Sequence, residues 1–169
     1  MINKPLTNPI VDYDEKWISQ FEEEAEQLSS CFFDDVKIHH IGSTSIKGMS
    51  AKPEIDILIV FPALTNLESI QCKIEALSYI RGGNLSKGHH FYKKEKNGIR
   101  THKLHICTQG HSTIHENMAF KKHLENNKDD FIAYCNLKKQ LANNGFSMAE
   151  YLHAKNPFIK NILFQYNET

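Results

Sequence analysis

Apolar residues recur at three- and four-residue steps over residues 14–29, where Trp17, Ile18, Phe21, Ala25 and Leu28 fall on one side and a row of acids on the other. That spacing predicts an amphipathic helix capped by Asp12 or Asp14. Residues 36–41 and 55–61 are short β-branched runs bounded by turn residues. The second is apolar at successive positions, as a strand buried on both faces requires. A connection of small residues, 42–53, joins them. Helical spacing returns over residues 67–77. Residues 91–94 and 101–108 have strand character, and Lys96-Asn97-Gly98 between them is a hairpin signal, predicting an antiparallel pair.

From His115 onward the pattern is helical. Phe131, Tyr134, Cys135, Lys138, Leu141 and Ala142 share one face, and Asn143-Asn144-Gly145 supplies a stop. Ser147 and Glu150 have the spacing of a capping box at the start of the last helix. Pro157 predicts a kink or break near Asn156, because proline lacks the N–H that the helix interior uses. No repeat, low-complexity tract or linker divides the chain, so residues 1–169 read as a single domain of α/β (α+β) class, strands first and helices last.

Composition narrows the function. The chain has 169 residues, 40% hydrophobic and 24% charged, with 20 Lys plus Arg against 20 Asp plus Glu. Such balance argues against a nucleic-acid or anionic-membrane binder, whose affinity rests on an excess of basic residues, and leaves small anionic ligands open. The neutrality hides an asymmetry: residues 14–35 carry eight acids against Lys16, and residues 87–103 carry six basic residues against Glu95. Cys31, Cys72, Cys107 and Cys135 lack the close pairing of a zinc or dithiol site, which predicts buried free thiols in the reducing cytoplasm. The first 14 residues have no apolar core of a secretory leader, and the longest apolar run, 57–64, contains Pro62 and is too short to span a membrane. Ten histidines without a Cys cluster or an HExxH sequence do not call for zinc.

The densest chemical signal is His40-Ile41-Gly42-Ser43-Thr44-Ser45 followed by Glu54-Ile55-Asp56-Ile57. Side chains two apart on a strand share a face, so Glu54 and Asp56 present two carboxylates together. Such a pair suits Mg²⁺ (or Mn²⁺), a hard cation that takes carboxylate and phosphate oxygens. Gly42 lets a phosphate approach the backbone, and Ser43 and Thr44 offer hydroxyls and N–H groups to its oxygens. Arg100 is suited to clamp a phosphate, with Lys103 and Lys155 as point charges.

The stretch 40–60, HIGSTSIKGMSAKPEIDILIV, closely resembles the signature of the GrpB family, which belongs to the nucleotidyltransferase superfamily. The superfamily pattern is a Gly-Ser or Gly-Gly pair, a short spacer, then alternating acids in a strand; Gly42, Ser43, Glu54 and Asp56 match it. The resemblance extends through Tyr13, Trp17, Arg100 to His105, Ala119-Phe120, Leu124, Leu137-Lys138, Leu141-Ala142, Tyr151 and Lys155. It implies a nucleotidyltransferase-like mixed sheet flanked by helices, with Asp56 and Glu54 as metal ligands. His40, Lys52, Arg100 and Lys155 join Gly42, Ser43 and Thr44 as the expected phosphate-binding set. Many superfamily members carry a third carboxylate on a later strand. Residues 101–108 hold none, and His105 stands at the comparable place, as ligand or general base.

The reading that follows is a Mg²⁺-dependent nucleotidyltransferase moving a nucleoside monophosphate from a nucleoside triphosphate to a hydroxyl or amine acceptor, with no nucleic-acid or membrane partner. The alternative is a noncatalytic nucleotide- or phosphoester-binding module, favoured by the missing third carboxylate. Hydrolysis of a phosphate ester at the same site is a third expectation.

Overall fold

The computed structural model describes residues 8–32 and 36–166. The start of the N-terminal segment, and Asp34 and Asp35 of the acidic stretch, lie outside the described residues. Helix α1 (Lys16–Ser30) leads into β1 (Lys37–Ile41) and, after a 3-10 turn at Ser43–Ser45, into β2 (Ile55–Phe61). A second 3-10 turn and the short α2 (Gln71–Ala76) precede β3 (Ile80–Ser86), β4 (His89–Lys96) and β5 (Ile99–Thr108). The chain closes with α3 (Ser112–Asn126), α4 (Lys128–Asn143) and α5 (Met148–Phe164).

The strands form one mixed sheet in the order β1-β2-β5-β4-β3, with β2 and β5 parallel and every other pair antiparallel. Strand β2 is flanked on both sides and its apolar residues are buried on both faces, as its composition predicts. The β4–β5 turn is the Asn-Gly hairpin, with positive φ at both Asn97 and Gly98 (53° and 76°). One sheet face packs Ile55, Ile57, Ile59, Leu104 and Ile106 against Trp17 and Leu28 of α1 and Ile74 of α2. On the other, Ile41, Leu58, Val60 and Cys107 meet Ile114 and Met118 of α3.

A separate apolar cluster joins α3, α4 and α5, and Ile46 and Met49 from the 42–53 connection are inserted into it with Leu124, Tyr134, Cys135 and Ile162. The C-terminal helices therefore hold the Gly-Ser turn in place, since close-packed side chains transmit position rather than absorb it. Among the described residues no helix is long and apolar enough to cross a membrane.

Three expectations need correction. Helix α5 runs unbroken through Pro157; Phe158, Ile159 and Ile162 pack into the helical cluster on its far side, and that burial outweighs the one lost hydrogen bond. On the acidic side of α1, Glu24 is 6% exposed, and Lys94 Nζ reaches it at 2.7 Å. Ile18, assigned to the apolar face, is 45% exposed. Cys107 and Cys135 are buried free thiols, but Cys72 is exposed and Cys31 half-buried. The capping box of Ser147 and Glu150 forms in full.

Candidate functional site

Gly42 ends β1 with φ 69° and ψ −174°, a conformation that L side chains rarely adopt. A Cβ added there would lie 2.5 Å from Asp56 Oδ2, so only glycine lets the turn pass this close to the carboxylate. The turn is held from behind. Thr44 Oγ1 donates to the Glu54 carbonyl at 3.2 Å, and its remaining acceptor capacity faces His40 Nε2 at 3.1 Å. His40 is stacked on Phe21 with ring centroids 4.6 Å apart, and burial lowers its pKa to about 4, leaving a neutral ring. It positions Thr44 and carries no charge for a phosphate.

Strand register brings the acids to a lysine. Asp56 pairs with Lys103 across the parallel β2–β5 ladder, and both project to the sheet face covered by α3. Lys103 Nζ lies 3.1 Å from Asp56 Oδ1 and 3.1 Å from Glu54 Oε2. Glu54, 1% exposed, is also bound through Oε1 by Lys52 Nζ at 3.2 Å and Asn8 Nδ2 at 3.1 Å. Burial alone would raise the pKa of Glu54; Lys103, Lys52 and Asn8 outweigh it and hold the carboxyl at about 2. The paired acids hold Lys103 well above the usual lysine range against the cost of its own burial.

Beside this pair is a cavity of about 50 Å³ whose lining includes Ser43, Thr44, Lys52, Asp56, Lys103, Lys138, Tyr151 and Lys155. One water needs roughly 10–15 Å³ of such space, so the cavity takes a group of about phosphoryl size. Lys138 enters from α4, donating to Ser43 Oγ at 2.9 Å and to the Ser50 carbonyl at 2.6 Å. Lys155 comes from α5 with its ammonium 4.6 Å from the centre of the Tyr151 ring. Burial, then the charges of Lys103, Lys52 and Lys138, depress Lys155 to about 7; burial depresses Lys138 to about 8 and lowers Lys52 as well. Four ammonium groups face two carboxylates, and the excess of positive charge is confined to a corner that water reaches poorly. The strongest remedy for such crowding is an anion. Larger clefts lie elsewhere, including one of about 690 Å³ between residues 8–12 and α4, but that cleft gathers only the exposed Lys139–Asp12 pair.

Of the expected phosphate-binding residues, Ser43, Thr44, Lys52 and Lys155 line the cavity and Gly42 abuts Asp56. Arg100 is placed behind Glu54, with Nη1 4.0 Å from Oε2. His105 lies further along β5, opposite Leu58, its Nδ1 2.9 Å from His89 Nε2, and His89 Nδ1 in turn 3.2 Å from Thr113 Oγ1. Burial lowers both imidazoles to about 4. Among the described residues no group of three or more His, Cys, Asp or Glu side chains is arranged to hold a metal ion, which corrects the expected trio of Glu54, Asp56 and His105. Magnesium asks for a near-octahedral shell of oxygens. Lys103 already stands between the two carboxylates, and Lys52 and Asn8 fill the other oxygen of Glu54, so the pair does not fit a shared metal.

Sequence reasoning gave Lys138 and Tyr151 no role. Lys138 carried a signal: it is a charge at a core position of α4, between Tyr134, Cys135 and Leu141, and it is 1% exposed. Asn8 carried none.

The chain is thus a protein of α+β class, a mixed five-stranded sheet flanked by helices in which the interior strand β2 follows directly on Glu54 beside a Gly-Ser turn. More narrowly, the chain belongs to the GrpB family: the family model described as GrpB protein matches residues 8–165. It is 36% identical over 154 residues to UPF0157 protein YqkA of Bacillus subtilis (strain 168), a match covering 89% of this chain and 45% of YqkA. The chain thus spans less than half the length of that relative. The crystal structure of conserved protein GrpB from Enterococcus faecalis aligns with a TM-score of 0.82 and 34% identity, over 90% of this chain and 93% of that one. Cid1 poly(U) polymerase with MgGTP bound aligns over 68% of this chain and 42% of its own, with 13% identity and a TM-score of 0.47, too slight a likeness to carry an argument about this site.

Proposed function

We propose that the protein binds the phosphates of a nucleoside triphosphate in the lysine-lined cavity beside the Gly42–Ser43 turn. The observation that carries this reading is the convergence of Lys52, Lys103, Lys138 and Lys155, from four separate parts of the chain, on one phosphoryl-sized space. Ammonium groups act on phosphate as point charges, Ser43 and Tyr151 offer hydroxyls, and low water access strengthens each contact. The nucleotide, as distinct from phosphate alone, rests on the resemblance of the Gly-Ser turn and acid strand to the superfamily pattern. The reading includes a cytoplasmic location, where an exposed thiol such as Cys72 stays reduced.

Nucleotidyl transfer to a hydroxyl or amine acceptor is the second reading. It is favoured by Asp56, whose 18% exposed carboxylate lines the cavity and is positioned to accept an acceptor's proton.

Thermal unfolding with each nucleoside triphosphate tests the first reading. A ligand at about a hundred times its dissociation constant stabilises by roughly 2.7 kcal/mol. Pyrophosphate release, measured over a panel of acceptors, separates the two readings. In Asp56→Asn, binding is retained and any turnover is lost. If no triphosphate shifts the unfolding temperature, the site does not do what is proposed.

A further inference from the structure

We infer that Lys103 occupies the place of a divalent cation and that the site takes its phosphate ligand without one. The inference rests on the phosphate reading of the cavity. Register sets Lys103 directly opposite Asp56 on the neighbouring parallel strand. Its ammonium is equidistant from the two carboxylates, at 3.1 Å each, and bridges them as a metal would. An ammonium has three N–H donors. Its ion pairs with Glu54 and Asp56 leave donor capacity for an oxygen in the cavity that Lys103 also lines.

The rest of the arrangement follows the same logic. Glu54 is held by the chain's own groups, with Lys52 and Asn8 at Oε1 and the Lys103 charge beside Oε2, which accepts no hydrogen bond, and it needs no metal to stay ionised. The ligand's negative charge then meets Lys138, Lys155 and the donor capacity left to Lys103. A divalent ion entering between Asp56 and Glu54 would have to displace Lys103 and would add positive charge where four ammonium groups already repel one another. A polyphosphate that arrives already complexed with magnesium has less charge to offer those lysines and binds more weakly.

Isothermal titration calorimetry with inorganic tripolyphosphate tests this on the native protein, in EDTA and in excess Mg²⁺. The expected result is binding in EDTA that is as tight as, or tighter than, binding in Mg²⁺. Affinity that rises by about tenfold or more on adding Mg²⁺, equivalent to roughly 1.4 kcal/mol, overturns the inference while leaving the phosphate reading intact. Absence of binding under both conditions overturns both. Lys103→Met, with its fold checked by circular dichroism, gives an independent arm. Its affinity in EDTA falls by about tenfold or more and Mn²⁺ restores it, because the vacated carboxylate pair now accepts a metal. Unchanged affinity of that variant in EDTA removes Lys103 from the site.

Discussion

Lys155 is the residue on which burial and like-charge repulsion act together. Lys103 from β5, Lys52 from the entry to β2 and Lys138 from α4 all oppose its proton; Asp56 favours it, and the balance leaves its pKa at about 7. An anion in the cavity reverses that balance and raises the pKa. Binding between about pH 7 and the ordinary lysine range therefore takes up a proton, and affinity falls as pH rises through 7 and then through 8, where Lys138 follows. In the free protein the sign is opposite. The folded state binds fewer protons than the unfolded chain in this range, so these lysines cost stability at low pH and release that cost as pH rises from about 7 towards 10. Calorimetry in two buffers of different ionisation enthalpy at pH 8 reads the uptake. The native protein takes up protons on binding tripolyphosphate and Lys155→Met takes up fewer; equal uptake by both would separate Lys155 from the ligand.

At the scale of elements, the chain carries legible instructions wherever local pattern and burial agree. Strand β2 is apolar on both faces because it is flanked on both sides, Asn97-Gly98 accepts the positive φ of its turn, and Ser147 with Glu150 closes the capping box. Strand β3 was not legible: it is an edge strand with Gly82 and Gly83, largely exposed and irregular in register, so neither alternation nor β-branching marks it. Helix α5 was misread because a local breaker met a tertiary demand. Phe158, Ile159 and Ile162, beyond Pro157, bury against α3, α4 and the 42–53 connection, and they hold one continuous helix. Proline in a helix interior costs up to about 3 kcal/mol relative to alanine. Pro157→Ala is therefore expected to raise the unfolding free energy by about 1–3 kcal/mol in a denaturant titration without changing ligand affinity, since Lys155 keeps its place. A loss of stability would mean that the helix depends on a bend at Pro157.

For the whole molecule, the zero net charge is a sum of regions with different fates. The acidic first helix and the basic hairpin meet directly, Lys94 and His102 of the sheet closing on Glu24 of α1, on the sheet face away from the site. The positive charge that matters at the site comes instead from lysines far apart in sequence, and only the fold assembles them. Alternation along a strand was enough to align Asp56 with Lys103 once the strands were paired, but which strands pair is not written locally. Placement of Lys138 and Lys155 depends on α4 and α5 packing against Ile46 and Met49 of the Gly-Ser connection. The proposed function turns on whether this converged cavity holds phosphate. A crystal structure of the protein with tripolyphosphate tests it most directly. The expected result is a phosphoryl group within hydrogen-bond distance of Ser43, Lys138 and Lys155, against the Lys103 ammonium; a bound tripolyphosphate elsewhere on the surface with this cavity unfilled would contradict the phosphate reading.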